Sequence, residues 1–164
     1  MRNRKIIIGS VIAVALVVGW YLFRPELLFV TKTVHEDLPG VAGAGNGQQL
    51  ASLNSLSKGS FYGLAHETKG IATIYGDGNG RQILRLTDFE TSNGPDVHVY
   101  LVAANDARDN DTVTRSGFID LGSLKGTQGD QNYEIPAGTD LGRYRAVSIW
   151  CRRFGVNFGT APLA

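Results

Sequence analysis

The chain has 164 residues, of which 43% are hydrophobic and 19% charged, so its composition suits a folded domain and excludes intrinsic disorder. The net charge is +1; residues 1–30 carry +3 and the remaining 134 carry −2, so a basic nucleic-acid-binding surface is excluded. The single cysteine excludes an intrachain disulfide and a zinc site built on cysteine pairs.

The first element is an apolar segment, residues 6–23, which contains no charged side chain. Eighteen residues of helix, at about 1.5 Å each, span about 27 Å, which matches the hydrocarbon core of a bilayer. Trp20, Tyr21 and Phe23 lie at its far end, where aromatic residues meet the headgroups, and three basic residues within 1–5 precede it. The pattern predicts a single-pass membrane anchor with residues 1–5 in the cytoplasm and the C-terminal domain outside it.

Two other interpretations of this segment are weaker. The apolar region of a cleaved signal peptide runs about 7–15 residues and ends at small residues, whereas this one is longer and ends in bulky aromatic side chains. A helix buried in the core of the domain is the third interpretation. We therefore favour an uncleaved signal anchor.

Residues 24–58 are predicted to be a linker between the anchor and the domain. The linker contains a stretch rich in glycine and alanine, PGVAGAGNGQQ at 39–49, which is typical of a flexible spacer. Residues 50–56 (LASLNSL) are compatible with a short helix.

Residues 59–164 consist of short β-branched and aromatic runs separated by turn residues. This spacing predicts an all-β domain, an antiparallel β-sandwich or barrel-like fold of about eight to ten short strands. No sustained helical period occurs in this part. The runs are 60–66, 71–75, 81–86, 96–103, 117–121, 132–135, 144–151 and 153–158.

Alternation within two of these runs predicts which side chains share a face of the sheet. In residues 96–103, Val97 and His98 belong to opposite faces. Both faces of residues 144–151 are apolar, which predicts a central strand. The alternation is expected to break at Gly155, in a bulge or turn.

The segment Asn93-Gly94-Pro95-Asp96 has two interpretations. It suits a turn, because Asn-Gly tolerates positive φ, proline fixes φ, and aspartate bonds nearby amides. It also suits a binding loop in which Asp96 faces a ligand. Trp150 likewise belongs either to core packing, which is favoured, or to an aromatic pocket for a flat ligand.

Four ordered pieces carry a family resemblance: GSF at 59–61, LRLTDFETSNGPDVHVYL at 84–101, DLGSLKGTQGDQNYEIP at 120–136 and YRAVSIWCRRFGVNFGTAPL at 144–163. Together, residues 59–163 resemble the DM13 domain, a family proposed to act in extracellular electron transfer. The resemblance implies a compact β domain whose single cysteine is redox-active, as a bare thiol or as a ligand to a prosthetic group such as haem. Cys151 matches that cysteine through its Ile-Trp-Cys context, and the resemblance implies a redox protein as a partner.

Chemistry read from the residues alone leaves alternatives open. Cys151 lies on an apolar face of its predicted strand, so it is either a redox group or a small inert core residue. His66 and His98 are candidate haem ligands or proton acceptors, although each alone is commonly a hydrogen-bonded structural residue. Covalent haem is excluded because no Cys-x-x-Cys-His occurs, so only non-covalent haem is considered.

The sequence therefore favours a membrane-anchored, extracytoplasmic redox accessory domain. The alternative is a non-catalytic binding or structural module with an inert cysteine. No hydrolase, metal-site or phosphate-binding motif is present, so nothing in the sequence indicates a stand-alone enzyme.

Overall fold

The structure, a computed structural model, describes residues 2–23, 31–39 and 53–164. Most of the predicted spacer at 39–49 and residues 24–30 of the predicted linker lie outside the described residues. The elements are α1 Arg2–Phe23, β1 Thr33–His35, β2 Asn54–Ser60, β3 Tyr62–Gly63, β4 Thr68–Gly76, β5 Gln82–Thr91, β6 Val97–Val102, α2 Asn110–Ser116, β7 Phe118–Ser123, β8 Gln128–Ile135, β9 Ala146–Cys151 and β10 Val156–Pro162.

The strands form two five-stranded sheets. Sheet A has the order β1-β8-β5-β4-β2, and sheet B has the order β3-β10-β9-β6-β7. Every pairing is antiparallel except that of β1 with β8, which is parallel. The predicted antiparallel β architecture is confirmed, and the two sheets are consistent with a β-sandwich.

Alternating side chains of the two sheets enclose the main core. Val97 points inward with its neighbours on β6, and β9 contributes Ile149 and Cys151 to the same apolar cluster. As predicted, β9 is central, lying between β10 and β6, and all six of its residues are buried. The predicted break in alternation is also confirmed, because Gly155 adopts a φ of 63° in the turn between β9 and β10.

The outer face of sheet B carries a second, smaller core beneath α2. Its apolar residues are Tyr100, Val102, Ala107, Val113, Ala146 and Trp150. Helix α2 was not anticipated, because seven residues are too few for a helical period to be recognised. Asp109 begins it as the N-cap, accepting a hydrogen bond of 2.7 Å from the amide of Thr112.

Two further segments differ from the expectations. The short helix considered for residues 50–56 is wrong for its last three residues, which extend into β2 because their backbone pairs with β4. Within the predicted linker, residues 33–35 form β1 and residues 54–58 belong to β2. The ordered part of the domain therefore begins well before residue 59.

The predicted anchor, residues 6–23, lies within helix α1, and the apolar side chains described along α1 are exposed on all sides. Within the part of the chain that the structure describes, no helix meets the length and apolarity needed to cross a membrane.

Candidate functional site

Cys151 is the last residue of β9 and has no exposed surface. Its thiol is free and belongs to the apolar core cluster. A turn follows at once, in which the amide of Gly155 donates to the Cys151 carbonyl at 2.9 Å and Arg152 is exposed. The thiol is therefore enclosed, although it lies one residue from the surface of the domain.

Val97 is the cross-strand partner of Cys151 on β6. The amide of Arg152 donates to the Asp96 carbonyl at 2.9 Å, so residues 96 and 152 form a hydrogen-bonded pair. The next pair along the ladder, Val97 with Cys151, is then of the non-hydrogen-bonded kind, in which side chains approach most closely. Val97 consequently lies directly beside the thiol.

Val97 also lines a cleft of about 310 Å³ at this end of the sandwich. Its walls are residues 93–97, residues 123–127 and Lys32. This volume lies at the lower end of the range of small-molecule sites. The structure thus places the predicted binding loop Asn93-Gly94-Pro95-Asp96 at a cleft and separates that cleft from Cys151 by one side chain.

Gly94 departs from its expected role in this loop. It is not among the glycines with positive φ. A Cβ added to Gly94 would lie 2.7 Å from a Val97 methyl and 3.0 Å from the Phe158 ring. Glycine is needed there because the loop packs tightly onto the core.

His98 lies on the opposite face of β6 and is 7% exposed. Its Nδ1 is 2.9 Å from Asp120 Oδ1, and its Nε2 is 3.1 Å from Asp96 Oδ1. The Arg152 guanidinium lies 3.9 Å from Asp96 Oδ2 and 3.7 Å from Asp120 Oδ2, so its positive charge offsets part of the charge of the two carboxylates.

Ser123 brings a hydroxyl to 3.4 Å from His98 Nε2, so serine, histidine and aspartate meet at the cleft wall. The arrangement does not form a hydrolytic triad. Asp96 Oδ1 lies closer to Nε2 than the hydroxyl does, at 3.1 Å against 3.4 Å, so the carboxylate and not the serine is the nearer partner of that nitrogen. The two backbone amides that follow Ser123 already donate to the protein's own oxygens, so they offer no oxyanion hole.

Aromatic rings extend from His98 along the outer face of sheet B. Tyr100 stacks on Phe118 at 4.1 Å between centroids and lies 6.2 Å from the Trp150 ring. Burial raises the pKa of Tyr100, and the charge of Asp120 adds to the increase. Trp150 is 6% exposed and packs in the small core, so it does not line the cleft.

The candidate residues are therefore divided between separate places. Cys151 faces the inner core, whereas His98 faces outward from the same sheet. His66 is half-buried two residues before β4 begins, with its ring centroid 3.9 Å from that of Phe158. Asp96 and Ser123 join the histidine cluster to the cleft.

Haem held by Cys151 and these histidines does not fit the contacts. Cys151 is fully enclosed in the core, and it lies across the sheet from His98. Both nitrogens of His98 lie within hydrogen-bond distance of carboxylate oxygens, so neither is open to iron. Among the described residues, no group of three or more His, Cys, Asp or Glu side chains is arranged to hold a metal ion.

Reasoning from the sequence missed two residues of this region, Asp120 and Ser123. Asp120 and Ser123 stand in one of the pieces that carried the resemblance, DLGSLKG, but only strand register brings them to His98. Gln131, which organises the loop at 123–127 from inside the core, was also missed.

These features define a two-sheet β domain with one enclosed free cysteine, a flanking cleft and a histidine clamped by two carboxylates. Residues 60–163 match the family model described as Electron transfer DM13. Because the match covers more than half of the chain, the chain belongs to the DM13 family. No curated protein and no solved structure matches it.

Proposed function

We propose that this chain is a redox accessory domain in which the Cys151 thiol is the redox-active group. The observation that carries the proposal is the match of residues 60–163 to an electron-transfer family, a span that contains the only cysteine of the chain. The position of Cys151 at a strand end, beside both a turn and a cleft, supports access by local opening. A redox protein outside the cytoplasm is the partner that this proposal implies, with no role for nucleic acid.

The chemistry is exchange with a disulfide. The Cys151 sulfur, having lost its proton, attacks one sulfur of the partner disulfide, and a Cys151 mixed disulfide forms as the partner S–S bond breaks. The leaving thiolate takes up the proton, so Cys151 is oxidised and the partner is reduced. The step is reversed when a second thiol, as its thiolate, attacks the partner sulfur of the mixed disulfide and releases the Cys151 thiolate.

Oxidised glutathione tests this role on the full chain in detergent. We expect one mixed-disulfide adduct by intact mass, its complete removal by dithiothreitol, and unchanged tryptophan fluorescence throughout. The Cys151→Ser variant, which has no thiol, is the matched control and should gain nothing. Adduct formation only in denaturant would contradict the redox role.

We also propose that α1 attaches the domain to a membrane, with residues 1–5 in the cytoplasm. The support is the uncharged run at 6–23, the exposed apolar side chains on every side of α1, and the basic residues that precede it. The full chain should stay with the membrane fraction after alkaline carbonate extraction, and a variant lacking residues 2–23 should not. Release of both forms would contradict the attachment.

A second candidate function is a non-catalytic binding module that uses the cleft between residues 93–97 and 123–127. The specific observation is that the predicted loop lines this cleft while Cys151 is enclosed. A ligand that raises the melting temperature of both the wild type and the Cys151→Ser variant would favour this alternative. Binding that needs the thiol would favour the redox role.

A further inference from the structure

Residues 31–39 precede the part of the chain that matches the family, yet they dock on sheet A. Strand β1 runs parallel to the β8 edge, with Val34 opposite Gly129. The amide of Glu36 donates to Asp130 O at 3.0 Å, and the amide of Gln128 donates to the Lys32 carbonyl at 3.1 Å. The segment therefore behaves as an added strand on the edge of the domain.

Two glycines make room for this strand. A Cβ added to Gly129 would lie 2.1 Å from the Val34 carbonyl oxygen, and one added to Gly126 would lie 2.6 Å from the Lys32 carbonyl oxygen. Gly129 has a φ of 96°, so its backbone is also shaped for glycine. The β8 edge is thus a groove that accommodates the backbone of β1. A residue larger than glycine at position 126 or 129 would occupy part of that groove.

A polar pocket at the end of the groove holds Glu36. Lys125 Nζ donates to both of its carboxylate oxygens, at 2.8 and 2.9 Å, and the Asn132 amide donates to one of them at 2.8 Å. The Arg85 guanidinium reaches the Glu36 carbonyl at 2.8 Å. The Asn132 side chain reaches the Asp37 carbonyl, also at 2.8 Å. The pocket therefore recognises both the charge of the Glu36 side chain and the direction of the backbone that carries it.

The electrostatics of the pocket agree with this arrangement. Burial raises the pKa of the Glu36 carboxyl, but the hydrogen bonds from Lys125 and Asn132 and the charges of Lys125 and Arg85 outweigh it, so the pKa lies below its ordinary value. A lowered carboxyl pKa means that docking favours the ionised form. The contribution is full above the ordinary value of 4.5 and is lost as the pH falls through the lowered value.

We propose that the β8 edge and the Lys125 pocket form a recognition groove for an extended segment bearing a glutamate. The chain fills this groove with its own residues 31–37, and the docked segment acts as a clasp between α1 and the domain. When the clasp is docked, nine peptide bonds separate Phe23 from Lys32, and the distance that they can span is at most about 30 Å. When the clasp is released, 31 peptide bonds separate Phe23 from Asn54, and the distance that they can span rises to about 100 Å. The clasp would hold the domain close to the membrane, a consequence that rests on the proposed attachment.

Hydrogen exchange on the full chain in detergent tests the clasp. In the wild type, the Glu36 amide and its neighbours in β1 should be protected. Glu36→Gln and Gly126→Ala should each lower that protection at least about ten-fold, a loss of about 1.4 kcal/mol, while β4 and β9 amides stay unchanged. Lys69→Met, which removes a surface ion pair with Glu90, is the control and should leave β1 protected.

Acid and a synthetic peptide complete the test. Wild-type protection of β1, corrected for intrinsic exchange rates, should fall at pH below 4.5, whereas Glu36→Gln should show no such fall. A labelled peptide of residues 31–39 should bind Glu36→Gln and not the wild type. Two results would overturn the clasp. One is a wild type whose β1 amides are unprotected; the other is protection that rises with protein concentration, as it would if two copies exchanged their β1 segments. Hydrogen exchange of the β1 amides does not involve Cys151, so the clasp can be confirmed or contradicted independently of the redox role.

Discussion

Replacing Gln131 with leucine should lower the free energy of unfolding by about 4 kcal/mol. Gln131 has no exposed surface, and its Oε1 accepts from the amides of Lys125 and Gly126 and from the Tyr133 hydroxyl at 2.8–3.2 Å. Its Nε2 donates to the Gly126 carbonyl at 2.8 Å. Leucine is of similar size but leaves the Gly126 amide, the Gly126 carbonyl and the Tyr133 hydroxyl proton without these partners, at about 1–3 kcal/mol each before relaxation. The Lys125 amide keeps its bond to the Tyr133 hydroxyl, at 3.0 Å.

The matched control is Gln82→Leu in the neighbouring strand. The Gln82 Oε1 atom is buried and has no hydrogen-bond partner among the described residues. Leucine there should leave stability unchanged or raise it by up to about 1 kcal/mol. Urea unfolding followed by tryptophan fluorescence measures both variants. Equal losses for the two substitutions would contradict the stabilising role assigned to Gln131 in the loop at 123–127.

Replacing Val97 with alanine should accelerate alkylation of Cys151 in the folded protein by at least about ten-fold, which corresponds to about 1.4 kcal/mol in the opening equilibrium. Val97 neighbours Cys151 across the ladder and lines the cleft on its other side. Removing its two terminal methyl groups should open a route from the cleft to the thiol. The rate is measured with a maleimide on the full chain in detergent.

Val99→Ala separates this local route from a general loss of stability. Val99 points into the same core, is fully buried and pairs with Ile149, one step further from the cleft. The substitution should destabilise the domain at least as much as Val97→Ala, since a more buried side chain is truncated. Alkylation should nevertheless change by less than about three-fold. Rates that follow the stability loss of both variants would show that the thiol is exposed only by global unfolding.

The strands and faces near Cys151 could be predicted because period-two alternation is a local signal. It placed Val97 and His98 on opposite faces and identified residues 144–151 as a central strand, and both predictions are confirmed. The enclosure of Cys151 was one of two interpretations of the same apolar face. The sequence alone could not choose between them, because enclosure depends on which loops close that end of the sandwich.

The partners of His98 and the clasp could not be predicted, because both depend on register between distant segments. Asp120 reaches His98 only through the pairing of β6 with β7, which no local pattern determines. Strand β1 has three residues, too few to show alternation, and its partner on β8 lies 95 positions along the chain. The need for glycine at position 129 is evident only in the structure, where the Val34 backbone packs against it.

The central claim is that Cys151 exchanges with disulfides in the folded domain. The most direct measurement compares the rate at which oxidised glutathione modifies Cys151 in the full chain with the global unfolding rate of the same sample. We predict a rate that grows with reagent concentration and exceeds the unfolding rate, and an adduct that dithiothreitol reverses. A rate that never exceeds global unfolding at any reagent concentration would contradict the claim and leave Cys151 an inert residue of the core.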